Sequence, residues 1–165
     1  HAMIDARAPG PLQRFDALAA HLPGELIAVT ARIAMAATFW KAGQTKVTGL
    51  SIDLVEGRFE LGVPHLSETA TELFRSEYKL PFLAPELAAP LAATAEHVFA
   101  LLLLVGLATR LSATALLGMT AVIEILVYPD AYPLHGAWAA CLMVLIKFGA
   151  GRLSLDAALG RGAGR

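Results

Sequence analysis

Glu96 and His97 stand side by side near the middle of the most hydrophobic stretch of the chain, Leu87 to Ala108. About 20 apolar residues rising roughly 1.5 Å each cross a bilayer core. An ionisable group at that depth costs about 2.5–3.5 kcal/mol or more, so it faces protein and takes a partner. Arg32 interrupts an earlier apolar stretch, Leu26 to Gly43, close to its centre. If the two stretches are antiparallel helices, Arg32 lies level with Glu96, and an Arg32–Glu96 ion pair is expected. Such a pair serves chemistry or simply locks two helices together. His97, about 100° further round its helix, suits a quinone hydrogen-bond partner, a proton relay or a metal ligand. It equally suits a packed core histidine.

A second set gathers at the opposite end of the same depth scale. Lys41, Glu124 and His135 fall near one level, with Tyr128, Tyr132 and Trp138 around them. They suggest either the mouth of a ligand cavity or snorkelling side chains within an aromatic belt. Glu124 stands apart from the belt reading, because a carboxylate is too short to snorkel far. Lys147 is expected to snorkel. Met35, Met119, Cys141 and Met143 offer soft ligands for copper(I) but form no recognised motif, so no metal site is assigned. A bis-histidine haem on His97 and His135 is disfavoured by their different depths. The single cysteine excludes an internal disulfide and a dithiol redox cycle.

The elements that must position these groups follow from composition. The 165 residues are 56% hydrophobic and only 16% charged, against about 25% charged in a soluble domain. Too little polar surface remains to cover the chain in water. A soluble bundle would need a polar stripe on every helix, and the second and third stretches are apolar nearly all round. The expectation is all-α: one membrane domain, residues 3–165, as a four-helix transmembrane bundle. Spans are expected at about 26–43, 87–108, 111–128 and 134–150. An extracytoplasmic loop (44–86) carries an interfacial helix from Ser67 to Tyr78, and a polar tail covers 151–165. A short interfacial helix is also expected near Ala17–Ala20, ending at Pro23-Gly24. His1-Ala2 reads as a remnant ahead of Met3, and Met3 to Leu22 lacks the apolar core of a signal peptide. Arg7, Arg14, Arg110, Arg152, Arg161 and Arg165 share one side, which places both termini in the cytoplasm. A net charge of −1 suggests no nucleic-acid partner.

Several short motifs carry a resemblance. Arg32 is followed by Phe39-Trp40-Lys41-Ala42-Gly43-Gln44-Thr45-Lys46. Glu96 precedes Gly106-Leu107-Ala108-Thr109-Arg110. The last span closes on Gly149-Ala150-Gly151-Arg152-Leu153-Ser154-Leu155-Asp156. Over about residues 26 to 157 the chain resembles the DoxX family of small four-helix bacterial membrane proteins. Glu77-Tyr78-Lys79-Leu80-Pro81 is similar to a branch with a long first loop. Ala150 departs from the family's usual Gly-Pro-Gly. Arg32, Lys46, Glu96, Arg110, Ser154 and Asp156 match the family pattern. The family takes its name from subunits associated with a thiosulfate:quinone oxidoreductase. The resemblance therefore implies an inner-membrane protein with a quinone-linked redox role and Lys46 among its ligand-binding residues. The alternative is a non-enzymatic accessory that binds a partner or assists metal or thiol stress handling. The bilayer, a redox or metal-handling protein and a second copy of the chain are the partners to consider. Whether the protein is an enzyme stays open.

Overall fold

The fold is a computed structural model that describes residues 10–160. Arg7, Arg161 and Arg165, used above for orientation, lie outside the described residues. Four long helices form an all-α membrane bundle: α2 (Gly24–Gln44), α4 (Pro85–Val105), α5 (Thr109–Leu126) and α6 (Tyr132–Phe148). α4, α5 and the stretch Pro129–Phe148 are each long and apolar enough to cross a membrane. A fourth candidate span arises if α1 (Pro11–Ala20) and α2 are counted together, although they meet at 66°.

Small residues set the helix spacing. Ala28, Ala31 and Ala36 of α2 and Ala88, Ala89, Ala93 and Ala100 of α4 are buried. They allow the close approach expected where apolar lipid supplies no hydrophobic drive for helix association. Phe39, Leu103, Leu116, Leu142 and Leu145 fill the centre. A Cβ on Gly43 would lie 2.6 Å from the His97 ring, so only glycine permits the α2–α4 contact at that height.

The connection from α2 to α4 departs from expectation. It contains an antiparallel hairpin, β1 (Val47–Asp53) with β2 (Arg58–Leu66), ahead of the anticipated helix. Leu50 pairs with Leu61 and Ile52 with Phe59. α2 serves as a third partner for β1: Trp40 Nε1 donates to the Ile52 carbonyl, and Ile52 N donates to Gln44 Oε1. The expected helix is α3 (Glu68–Leu73), running into one π turn, Phe74–Tyr78. Its Ala70 and Phe74 pack on Ala88 and Ala89 of α4, so protein covers its apolar side. Arg75 adds ties to Glu72 and Glu86.

The end of the bundle opposite the hairpin is a network of helix ends. α4 stops at Gly106 in the left-handed region (φ 68°), and Leu107 N returns to the Leu102 carbonyl. Ala108 is left-handed too, at φ 48°. Asp156, from the short α7 (Leu155–Ala158), accepts from Ala108 N and Thr109 N at 2.9 Å each and so caps α5 from a distant part of the chain. Its own amide donates to the Gly106 carbonyl. Glu25 accepts from Arg152 N at 2.5 Å. The Gly-Leu-x-Thr-Arg turn and the Gly-Arg-x-Ser-Leu-Asp ending are two halves of one joint.

Candidate functional site

Arg32 does not meet Glu96. Its guanidinium donates to four carbonyls at the end of the bundle away from the hairpin: Leu103 (2.9 Å), Leu104 (2.8 Å), Ala150 (2.8 Å) and Leu153 (2.7 Å). Those carbonyls lie at the ends of α4 and beyond α6, where peptide groups lack intrahelical partners and carry partial negative charge. Asp156 adds favourable electrostatics. The expectation failed on register. Glu96 lies beside Gly43, eleven residues from Arg32 and about 16 Å further along the axis. The midpoints of α2 and α4 are not level, because α4 is displaced along α2. Arg32 clasps the end of α4 to the chain beyond α6.

Glu96 pairs instead with Lys46, which follows α2 and folds back beneath it. Lys46 Nζ lies 3.0 Å from Glu96 Oε1 and 2.9 Å from Oε2, and it also donates to the Ala42 carbonyl at 3.1 Å. The side chains are 6% and 4% exposed. The Ala42 carbonyl belongs to the negative end of α2, which favours the ammonium there. Oε2 is close to Nζ yet receives no properly directed hydrogen bond.

That carboxylate borders a cavity of about 220 Å³. Phe74, Tyr78, Leu80 and Leu83 from the π turn and the loop after it form one wall. Ala92 and Ala95 of α4 and Met119 and Ile123 of α5 form the others. Glu96 is the single charged residue in the lining. The arrangement offers one acidic, hydrogen-bonding head in an apolar slot. Such a slot has the size and chemistry for a small ring with a polar edge.

The sites nominated from sequence are distributed rather than gathered. His97 sits beneath the hairpin, edge-on to Trp40 at 5.0 Å. Its Nδ1 is 2.7 Å from the Ala93 carbonyl and its Nε2 2.9 Å from Gln44 Nε2. With Gln44 Oε1 accepting from Ile52 N, the amide must donate to Nε2, so Nδ1 carries the proton. Both ring nitrogens are thus occupied: Nδ1 bonds within α4, and Nε2, through Gln44, ties α4 to α2 and β1. Lys41 is exposed, within electrostatic reach of Asp53. Glu124 and His135 meet each other at 2.6 Å between α5 and α6, with Trp138 beside the imidazole. Tyr128 donates to Glu77 and stacks edge-on against Tyr78 at 5.8 Å. Among the described residues no group of three or more His, Cys, Asp or Glu is placed to hold a metal.

The sequence reading points to neither Tyr78 nor Phe74, and to Met119 only as a soft metal ligand. The signal for Tyr78 was local but subtle. A π turn inserts one residue into a helix and redirects the side chain at its end. Here Lys79 in the left-handed region (φ 44°) terminates it. Burial, followed by the charge of Glu96, raises the Tyr78 phenol above its ordinary pKa.

A helical membrane bundle with one buried acid–base pair at an apolar cavity is the class of protein that fold and site define. The DoxX family model matches residues 27–129, more than half of the chain. The chain belongs to the DoxX family. No curated protein and no solved structure matches it.

Proposed function

We propose that this chain is a quinone-binding membrane subunit, with the cavity beside Glu96 holding the quinone head. The observation that carries the reading is the buried Glu96 carboxylate, one oxygen short of a directed donor, at the edge of an otherwise apolar cavity. A volume of 220 Å³ falls below the about 300–1,000 Å³ typical of pockets for drug-sized ligands. It suits one substituted ring, with an isoprenoid tail leaving past Leu91, which is exposed on the bundle surface. A quinol hydroxyl donates to Glu96 Oε2, and a quinone carbonyl accepts from Lys46. The described residues carry no haem, flavin or iron–sulfur motif of their own in this reading, so electrons come from a partner protein. The DoxX membership supports the quinone link through the family's namesake subunits.

The proposed setting is the bacterial inner membrane, crossed four times by α2, α4, α5 and α6, with both termini in the cytoplasm. Arg14, Arg110 and Arg152 support this orientation: they lie at the end of the bundle opposite the hairpin.

The test is extraction of purified protein for bound quinone, followed by titration with decylubiquinone. Wild type binds it, and Glu96→Gln weakens binding at least tenfold while the helix content is retained. Equal affinity in both removes the site.

A second reading has its own observation. The hairpin exposes Leu54, Val55, Phe59 and Leu61 at 63–86%. Soluble surfaces seldom show such a cluster without an interaction, so it favours an accessory that docks a partner protein through this loop. Loss of a copurifying partner from a Phe59→Ser/Leu61→Ser variant, with quinone binding unchanged, supports it.

A further inference from the structure

A second cavity, of about 370 Å³, lies on another side of α4, between that helix and the hairpin. Pro90, Thr94, Val98 and Leu101 form the helix wall. Val47 and Leu50 of β1 lie in the opposing wall, and Trp40 of α2 completes the lining. The strand is shaped for this cover. Val47 and Leu50, three residues apart, would face opposite sides of a regular strand. The ladder is irregular between Thr48 and Leu50. Such an irregularity bends a strand and re-aims its side chains, and here both reach the cavity.

The walls carry no ionised side chain: among the described residues no Asp, Glu, Lys or Arg lines this space. His97 does, but both its ring nitrogens are already engaged. The other polar side chains, His65 and Thr94, are exposed. The chemistry differs from that of the acid-headed slot beside Glu96, and it suits plain hydrocarbon. Walls of this kind give water too few polar partners to hold it. Left empty, the space forfeits the dispersion contacts of its lining.

What fills it follows from where it leads. Thr94, Val98, Leu101 and Val105 recur at helical spacing and share one face of α4. Val98, Leu101 and Val105 remain 46%, 48% and 44% exposed. The strip under the hairpin therefore continues into the outward apolar surface of the bundle. α4 is long and apolar enough to cross a membrane. From Pro90 to Leu101 it rises about 16 Å. That is close to half of the about 30 Å hydrocarbon core, the depth of one leaflet.

We propose that this groove binds one acyl chain of a phospholipid from the leaflet on the hairpin side, held between the β1–β2 hairpin and α4. Burial alone holds the chain, and no bond is made or broken. The site is separate from the cavity beside Glu96 and does not depend on a quinone there.

The chain has two tryptophans, and one of them, Trp40, lines the groove. In Trp138→Phe, Trp40 is the sole tryptophan emitter and reports the occupant. The full chain is placed in nanodiscs of phosphatidylcholine with dibrominated acyl chains, and its emission is compared with that in unbrominated lipid. Bromine on a bound chain is expected to quench Trp40 at least twofold. Thr94→Phe and Val98→Phe, at exposed positions on the helix wall, fill the groove, and each is expected to cut that quenching at least twofold. Trp40→Phe, which leaves Trp138 against Phe39 and His135, is the control, and the filling substitutions leave its quenching unchanged. Quenching of Trp40 that neither filling substitution alters overturns the proposal, because lipid then touches the ring from outside the groove. Quenching by aqueous iodide in place of brominated lipid shows water in the groove, and quenching by neither shows protein there; both results overturn it. If one filling variant misfolds, the other decides the matter.

Discussion

Lys46 and Glu96, fifty positions apart in sequence, form a buried ion pair at 2.9–3.0 Å where α2 ends and α4 passes its midpoint. Two charges removed from solvent make a poor device for stability alone. Replacing such a pair with well-packed apolar residues is often neutral or favourable, whereas removing one partner strands the other.

That asymmetry yields the first prediction. Lys46→Met leaves Glu96 uncompensated and costs about 3–5 kcal/mol. The double variant Lys46→Met/Glu96→Leu regains most of that loss but binds no quinone. Denaturant unfolding of the three proteins in one detergent measures it. A double variant as unstable as the single one makes the pair structural.

Arg32 gives a second. Arg32→Ala removes a donor from four carbonyls, of which Leu103 keeps Gly106 N, and hydrogen bonds to a charged group are worth about 1.5–3 kcal/mol each, not additively. The expected loss is at least 3 kcal/mol, with quinone affinity in the surviving folded fraction within twofold of wild type. Thermal unfolding alongside ligand titration separates the two effects.

Gly106→Ala is the third. A Cβ there would lie 2.5 Å from Ser154 Cβ and 2.8 Å from Arg32 Cζ, on a backbone at φ 68°. It should destabilise by more than the about 1 kcal/mol that a left-handed alanine alone costs. Ala108→Gly, at φ 48° and without that clash, should be neutral or stabilising. Paired melting curves check the contrast.

Much of this was legible in the sequence. The four long apolar stretches became α2, α4, α5 and α6 because twenty-residue apolar runs in lipid have little alternative to helix. The hairpin left only a partial trace. Leu50 to Asp53 and Phe59 to Val63 alternate, with Asp53 and Gly57 bracketing the turn, whereas the expectation placed only the helix Ser67 to Tyr78 in this loop; Val47 is out of phase with Leu50, where the ladder is irregular. The Lys46–Glu96 pair was not accessible. It depends on the axial displacement of α4 against α2, and that is set by Gly43 against His97 and by the joint of helix ends around Asp156. Both are three-dimensional facts. Tyr78 escaped because one inserted residue decides where its ring points.

The hairpin supplies a pH prediction. Asp53 Oδ1 accepts from Val55 N at 2.8 Å and Glu56 N at 3.0 Å. These backbone donors, Glu56 first, hold the carboxyl below its ordinary pKa. A depressed folded pKa contributes order above the unfolded value, about 3.9, and loses it as pH falls through the folded one. Hydrogen exchange at Val55 and Glu56 should therefore gain no protection from raising pH above about 5 and lose it below about 4. Asp53→Ala should abolish that dependence.

Photo-crosslinking with an azido-quinone, mapped by mass spectrometry, addresses the site itself. The account predicts adducts on Tyr78, Leu91, Ala95 and Met119, competed by decylubiquinone and lost in Glu96→Gln. Adducts scattered over the lipid-facing helix surfaces, or confined to the hairpin and indifferent to Glu96, would contradict it.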